Sequence, residues 1–174
     1  MVVLPTAEAV AGLLGALYGK SVDVEGCGAV SPRPRAPSVV AAYYDRQGVF
    51  EAVCLCDLAF AAGAGAALSL MPADVAVRCV RRQELDEYVL QNLHEVLNVA
   101  AQLFSVGHGG GLVLRGFYLL PGALPDEVSA LLQSPAARLD IQVTISGYRP
   151  GKMALLAATP AAVEPAPAAP VSAS

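Results

Sequence analysis

Tryptophan is absent from the 174 residues, aromatic side chains make up 6%, and charged side chains only 15%. An ordinary globular domain carries about 25% charged residues. With 55% hydrophobic residues alongside, this composition excludes disorder over most of the chain. Basic charge is the scarcer sign, with 11 Lys and Arg against 15 Asp and Glu and a net charge of −4. No general positive field is available, so neither nucleic acid nor a membrane surface is expected as a partner. A long apolar run is also missing, although mean hydropathy is +0.53. Leu58 to Ala73 is uncharged for 16 residues but contains Gly63, Gly65, Ser69 and Pro72. A membrane span needs about 20 apolar residues, so the run reads as a buried helix. The start of the chain has no basic segment ahead of an apolar one, so no secretory signal is expected.

No C-x-x-C pair exists among the cysteines at 27, 54, 56 and 79. That excludes a zinc ribbon and a thioredoxin motif. Cys54 and Cys56 lie two apart on a predicted strand and point the same way, as small apolar residues. Nothing demands an oxidising compartment, and a cytoplasmic protein is expected. His108-Gly109-Gly110-Gly111 looks like a hydrolase oxyanion loop, but no G-x-S-x-G accompanies it. Gly19-Lys20-Ser21 has the ending of a phosphate loop without its upstream glycine spacing.

What is present is mostly hairpins. Thr6 caps a predicted helix over Ala7 to Tyr18, which Gly19 stops. Val22 to Val30 reads as an edge strand, followed by a loop with prolines 32, 34 and 37. Ser38 to Tyr44 and Val49 to Leu55 form a hairpin across Asp45-Arg46-Gln47-Gly48. Asp57 caps a helix from Leu58 to Met71, and Pro72 ends it. Glu84 to Phe104 carries apolar residues at helical spacing: Leu85, Val89, Leu93, Val96, Ala100 and Leu103. Leu112 to Leu120 is a strand and Pro125 to Gln133 a short helix. Leu139 to Ser146 and Lys152 to Ala158 form a second hairpin. The order predicts an α+β domain over residues 1–158. Its antiparallel sheet has about six strands, with two main helices and one long helix packed on it. Residues 159–174 contain four prolines and six alanines, and a flexible tail is expected there.

The long helix has a second stripe. Glu87, Gln91, Glu95, Asn98 and Gln102 share one face at spacings of three and four. A solvated face would show the same spacing. Asn98, however, is a poor helix former placed mid-helix in a chain that uses alanine freely. A carboxylate and a carboxamide three residues apart can act together. The first can pair with a cation on a partner, and the second can orient a water beside an activated electrophile. Asn92 is a second mid-helix asparagine with no evident task. His94 reads as a surface histidine, four residues from Asn98, with a general base as the alternative.

These residues resemble the CheX/CheC/FliY family of chemotaxis phosphatases, most closely its CheX-like domains. The resemblance begins at Ser38-Val39-Val40-Ala41-Ala42-Tyr43-Tyr44-Asp45-Arg46-Gln47-Gly48-Val49. It continues through Cys54-Leu55-Cys56-Asp57-Leu58-Ala59-Phe60-Ala61, a strand running into a capped, alanine-rich helix. It ends on Glu95-Val96-Leu97-Asn98, the family's Glu-x-x-Asn signature. The resemblance implies an aspartyl-phosphate phosphatase acting on a phosphorylated receiver domain. Asn98 would orient the water and Glu95 would contact the receiver's lysine. Gln91, Glu95 and Gln102 would face the partner. Magnesium would belong to the receiver, so no cofactor is expected in this chain. The family often has an acidic residue or serine at the position of Gln91 and glycine at that of Gln102. Those departures keep open a non-catalytic interaction module that binds a receiver or dimerises. A homodimer through a sheet edge is also expected, with Leu139 to Ser146 as the candidate edge.

Overall fold

The computed structural model describes residues 2–106 and 110–158. The predicted tail at 159–174, and His108 and Gly109 of the glycine-rich loop, lie outside the described residues. The sheet is built from β2 (Val22–Gly26), β3 (Ser38–Tyr44), β4 (Phe50–Asp57), β6 (Val113–Leu120), β7 (Ala137–Ile145) and β8 (Gly151–Ala157). Its strand order is β2-β7-β8-β4-β3-β6, and every pair is antiparallel. β1 (Val2–Val3) and β5 (Ser105–Val106) form a separate short pair that the sequence did not announce.

The predicted starts and stops act as expected at several points. Thr6 accepts from the Ala9 N–H and opens α1 (Ala7–Tyr18), and Gly19 ends it at φ 60°. Gly48 closes the first hairpin at φ 91°. Asp57 ends β4 and caps α2 (Leu58–Leu68) at once, accepting from the Phe60 N–H at 2.8 Å. Strand and helix therefore join with no loop between them. The composition of α2 follows from its surroundings. Leu58 and every residue from Phe60 to Ala67 are buried, so the helix has no solvent face and is made of alanine and glycine.

Three helices, α1, α2 and α4 (Glu87–Ala100), cover one face of the sheet over Val39, Ala41, Tyr43, Cys54 and Cys56. The shorter α5 (Asp126–Gln133) covers the other face through Val128 and Leu131. The two thiols at 54 and 56 stand 3.6 Å apart in full burial, as apolar filling of the core.

Three predicted boundaries are corrected. Pro72, expected as a stop only, also opens a further helix, α3 (Ala73–Arg82). Proline is suited to a helix start as well as to a stop, because the first N–H groups have no intrahelical partner. The long helix begins at Glu87 instead of Glu84, since Gln83 at φ 58° ends α3 and leaves Glu84 to Asp86 as the link. It ends at Ala100 and tightens into a 3-10 turn over Ala101–Leu103. Finally, Leu139 to Ser146 is not an edge. β7 lies between β2 and β8, and the edges of the sheet are β2 and β6.

Candidate functional site on helix α4

The sheet and α2 fix how α4 is turned. Val89, Leu93, Val96, Leu97 and Ala100 are buried against them. Asn92, which had no evident task, donates to the Gly65 carbonyl at 2.9 Å and to Ser69 Oγ at 2.8 Å. It is a structural clamp between α4 and α2. Gly65 permits that approach, since a Cβ there would lie 2.2 Å from the Val89 carbonyl oxygen. At the far end, the buried Tyr43 hydroxyl donates to the Leu97 carbonyl at 2.7 Å.

With one face held this way, the other carries the polar stripe into solvent. Glu87, Gln91, Glu95 and Asn98 are all exposed, and so is Gln102 in the 3-10 turn. Gln91 Nε2 lies 3.4 Å from Glu87 Oε1. A 3-10 turn advances about 120° per residue against about 100° in an α-helix. Gln102 is therefore turned further off the line of Glu95 and Asn98 than an unbroken helix would place it. The stripe also holds a residue that the sequence reading passed over. Tyr88 is 71% exposed and stands seven residues before Glu95, two helical turns down the same line. That spacing was the available signal.

His94 is half exposed, with Nδ1 3.8 Å from Glu95 Oε1. Its ring packs at 5.3 Å on Phe117 of the edge strand β6. Leu90, Gln91, Asn92, His94, Glu95 and Phe117 line a shallow cleft between α4 and β6. Asn98 stands outside that cleft, further along the helix. Two residues beyond Phe117 on the same face of β6, Leu119 is 46% exposed. Among the described residues no three His, Cys, Asp or Glu side chains converge as a metal site would require. Among them, too, no helix is long and apolar enough to cross a membrane. An exposed carboxylate and carboxamide one turn apart can bind a cation and order a water; they supply no nucleophile of their own.

No protein-family model matches the chain, and no curated protein matches it in sequence. Solved structures do match in shape. FliY from Thermotoga maritima superposes with a TM-score of 0.55 at 13% identity, over 85% of this chain and 81% of that one. The FliM–SpeE complex from H. pylori gives 0.48 at 11% identity, over 87% of this chain and 81% of that one. The CheX–CheY–BeF3–Mg complex from Borrelia burgdorferi gives 0.43 at 9% identity, over 87% of this chain and 94% of that one. The first of these, together with the element order and the antiparallel sheet, gives the chain the CheC/CheX/FliY-like fold.

Proposed function

We propose that this chain accelerates hydrolysis of the aspartyl phosphate on a receiver domain, in chemotaxis or a related two-component pathway. The observation that carries the reading is the joint exposure of Glu95 and Asn98 on α4, one turn apart, in a chain with the FliY-like fold. The receiver's own magnesium supplies the charge neutralisation of the phosphoryl group. Asn98 accepts from and donates to one water and holds it in line with the phosphorus. Attack forms a bond from the water oxygen to phosphorus and breaks the bond to the aspartyl oxygen. Inorganic phosphate leaves, and the receiver's carboxylate is restored. Glu95 pairs with the receiver's lysine and fixes the angle of approach. Tyr88 and Gln91 extend the contact toward the start of the helix. Positioning is the main contribution such a site makes to phosphoryl transfer.

A second reading is an interaction module that docks a receiver without turnover. The exposed Tyr88 and Leu119 favour it, since large apolar groups beside a polar stripe suit binding irrespective of chemistry. One experiment separates the two. The protein is incubated with phosphorylated receivers of the same organism, while receiver binding and phosphate release are followed together. Binding with accelerated release supports the phosphatase; binding without it leaves the module.

A further inference from the structure

Basic charge is scarce in this protein, yet four of its 11 basic side chains line one concave surface. A groove of about 850 Å³ runs between α3 and the turn joining β7 to β8. Its floor is small and apolar, made by Ala59 and Gly63 of α2 with Ala76, Val77 and Val80 of α3. Tyr148 forms the far wall. Its hydroxyl donates to the carbonyl of Met71, in the link between α2 and α3. That bond ties the turn to the helix pair, so both walls belong to packed structure. At Ala59 and Val80 the groove meets a second one of about 370 Å³, bounded by the proline-containing loop. The two make one trough.

Four cations line it: Arg81 and Arg149 in the first part, Arg33 and Lys152 in the second. None of them has an ion-pair partner among the described residues. One carboxylate, Asp57, shares the lining; it caps α2 through the Phe60 N–H and leaves the positive charge in excess, four to one. The whole chain has 11 basic side chains against 15 acidic ones. Four free cations on one trough therefore run against the composition. On a convex surface they would be ordinary solvated charges. Here they border a concave floor where Val77 and Val80 are only half buried. Such a site joins apolar burial at its centre to opposite-charge attraction at its rim.

We propose that this trough is a docking site for an acidic peptide segment of a partner protein. Apolar side chains of the peptide would rest on Ala76, Val77 and Val80, with its carboxylates toward Arg81, Arg149 and Lys152. None of these residues belongs to the stripe of α4, so the inference stands apart from the phosphatase reading.

The test uses the full chain and a fluorescein-labelled peptide of alternating glutamate and leucine, read by fluorescence anisotropy. The wild type binds, the binding weakens as salt rises, and the matching lysine–leucine peptide does not bind. The double variant Arg81→Glu, Arg149→Glu binds the acidic peptide about tenfold or more weakly, as expected for reversing two rim charges. Both arginines are exposed, so the fold tolerates the change. Equal affinity of wild type and double variant overturns the proposal, as does failure of the wild type to bind at millimolar peptide. Binding to phosphatidylcholine–phosphatidylserine vesicles, lost in the double variant while the peptide does not bind, assigns the trough to a membrane surface and also overturns it. So does self-association of the wild type that the double variant lacks, which assigns the trough to a second copy.

Discussion

Tyr43, near the end of β3, donates its hydroxyl to the main-chain carbonyl of Leu97, the residue before Asn98, in complete burial. The end of α4 makes room for this bond. The Ala101 N–H turns to the Asn98 carbonyl as the helix tightens, which frees the Leu97 oxygen for the phenol. The Tyr43 ring also packs at 5.0 Å on Phe104, just past the 3-10 turn. Burial pushes the Tyr43 phenol well above its ordinary range, so the hydroxyl stays a donor at any physiological pH. Tyr43→Phe keeps the ring and leaves the Leu97 carbonyl buried without its partner. A loss of about 1–3 kcal/mol is expected, seen as a lower urea midpoint. An unchanged midpoint would show that the bond contributes nothing to holding α4.

The proposed chemistry divides between two side chains, and so do the expected effects of removing them. Asn98→Ala lowers the rate of receiver dephosphorylation by about 10²–10³, the usual loss for a positioning donor, while receiver binding holds. Glu95→Ala weakens binding instead, and its effect shrinks as salt rises. Both side chains are exposed, so stability changes by less than about 0.5 kcal/mol. Single-turnover phosphate release and a binding titration, run on both variants, make the check. Equal loss of binding in the two would refute the division of roles.

Gly63 and Gly65 look alike in the sequence, two apart in an alanine-rich helix. The structure separates them. A Cβ on Gly65 would meet the Val89 carbonyl oxygen at 2.2 Å, and main chain cannot move aside cheaply. A Cβ on Gly63 would meet nothing nearer than the Tyr148 Cβ at 3.7 Å, an ordinary contact. Gly65→Ala therefore separates α2 from α4, strains the Asn92 clamp and lowers the melting temperature sharply. Gly63→Ala is expected to be neutral or to stabilise by up to about 1 kcal/mol, because alanine is the better helix former. Thermal melts should show a sharp loss for Gly65→Ala and none for Gly63→Ala.

That pair also shows where sequence reading stopped. Periodicity exposed the core stripe of α4 and the polar stripe opposite it, and cap chemistry located Thr6 and Asp57. These signals act within a few residues. α3 escaped although Ala76, Cys79 and Val80 recur at helical spacing among Asp74, Arg78, Arg81 and Arg82, because the proline ahead of it signals a stop as readily as a start. Asn92 had no task until α2 was placed beside it. The same limit applied to β7: alternation marks a strand but does not say whether two neighbours flank it. The exposure of Glu95 and Asn98 was legible, whereas the tie from Tyr43 to Leu97 spans 54 positions and was not.

Acid sensitivity should centre on Asp140. Burial alone would raise its pKa, but hydrogen bonds from the Arg138 guanidinium and the Val30 N–H outweigh it and hold the carboxyl below its ordinary value. A carboxyl depressed in the folded state stabilises fully above its unfolded pKa of about 3.9 and loses that contribution as pH falls through the folded value. The clamp joins β7 to the segment leading into the proline-containing loop, so that loop should loosen first. Asp140→Asn should lower the melting temperature at neutral pH, and the gap from wild type should close as pH falls below about 4. A gap that stays constant down to acid pH would show that the ionised carboxylate is not what holds the loop.

The two sheet edges differ in how they discourage another chain. β2 carries Asp23 and Glu25 on five residues, whereas β6 carries Arg115 alone on eight and exposes Val113 and Leu119. Charges on an edge strand oppose pairing, and a longer, more apolar edge with a single charge opposes it less. The expected homodimer should therefore form through β6, antiparallel to its copy, as two-fold symmetry allows for a strand facing itself. Leu119→Lys adds a charge that meets its own copy across or near the axis, and it should shift the dimer toward monomer. Asp23→Lys, at an exposed position of β2, should leave assembly unchanged. Light scattering at micromolar concentration reads both variants. A monomeric mass for the wild type would exclude sheet-edge pairing, and a dimer that survives Leu119→Lys but not Asp23→Lys would move the interface to β2.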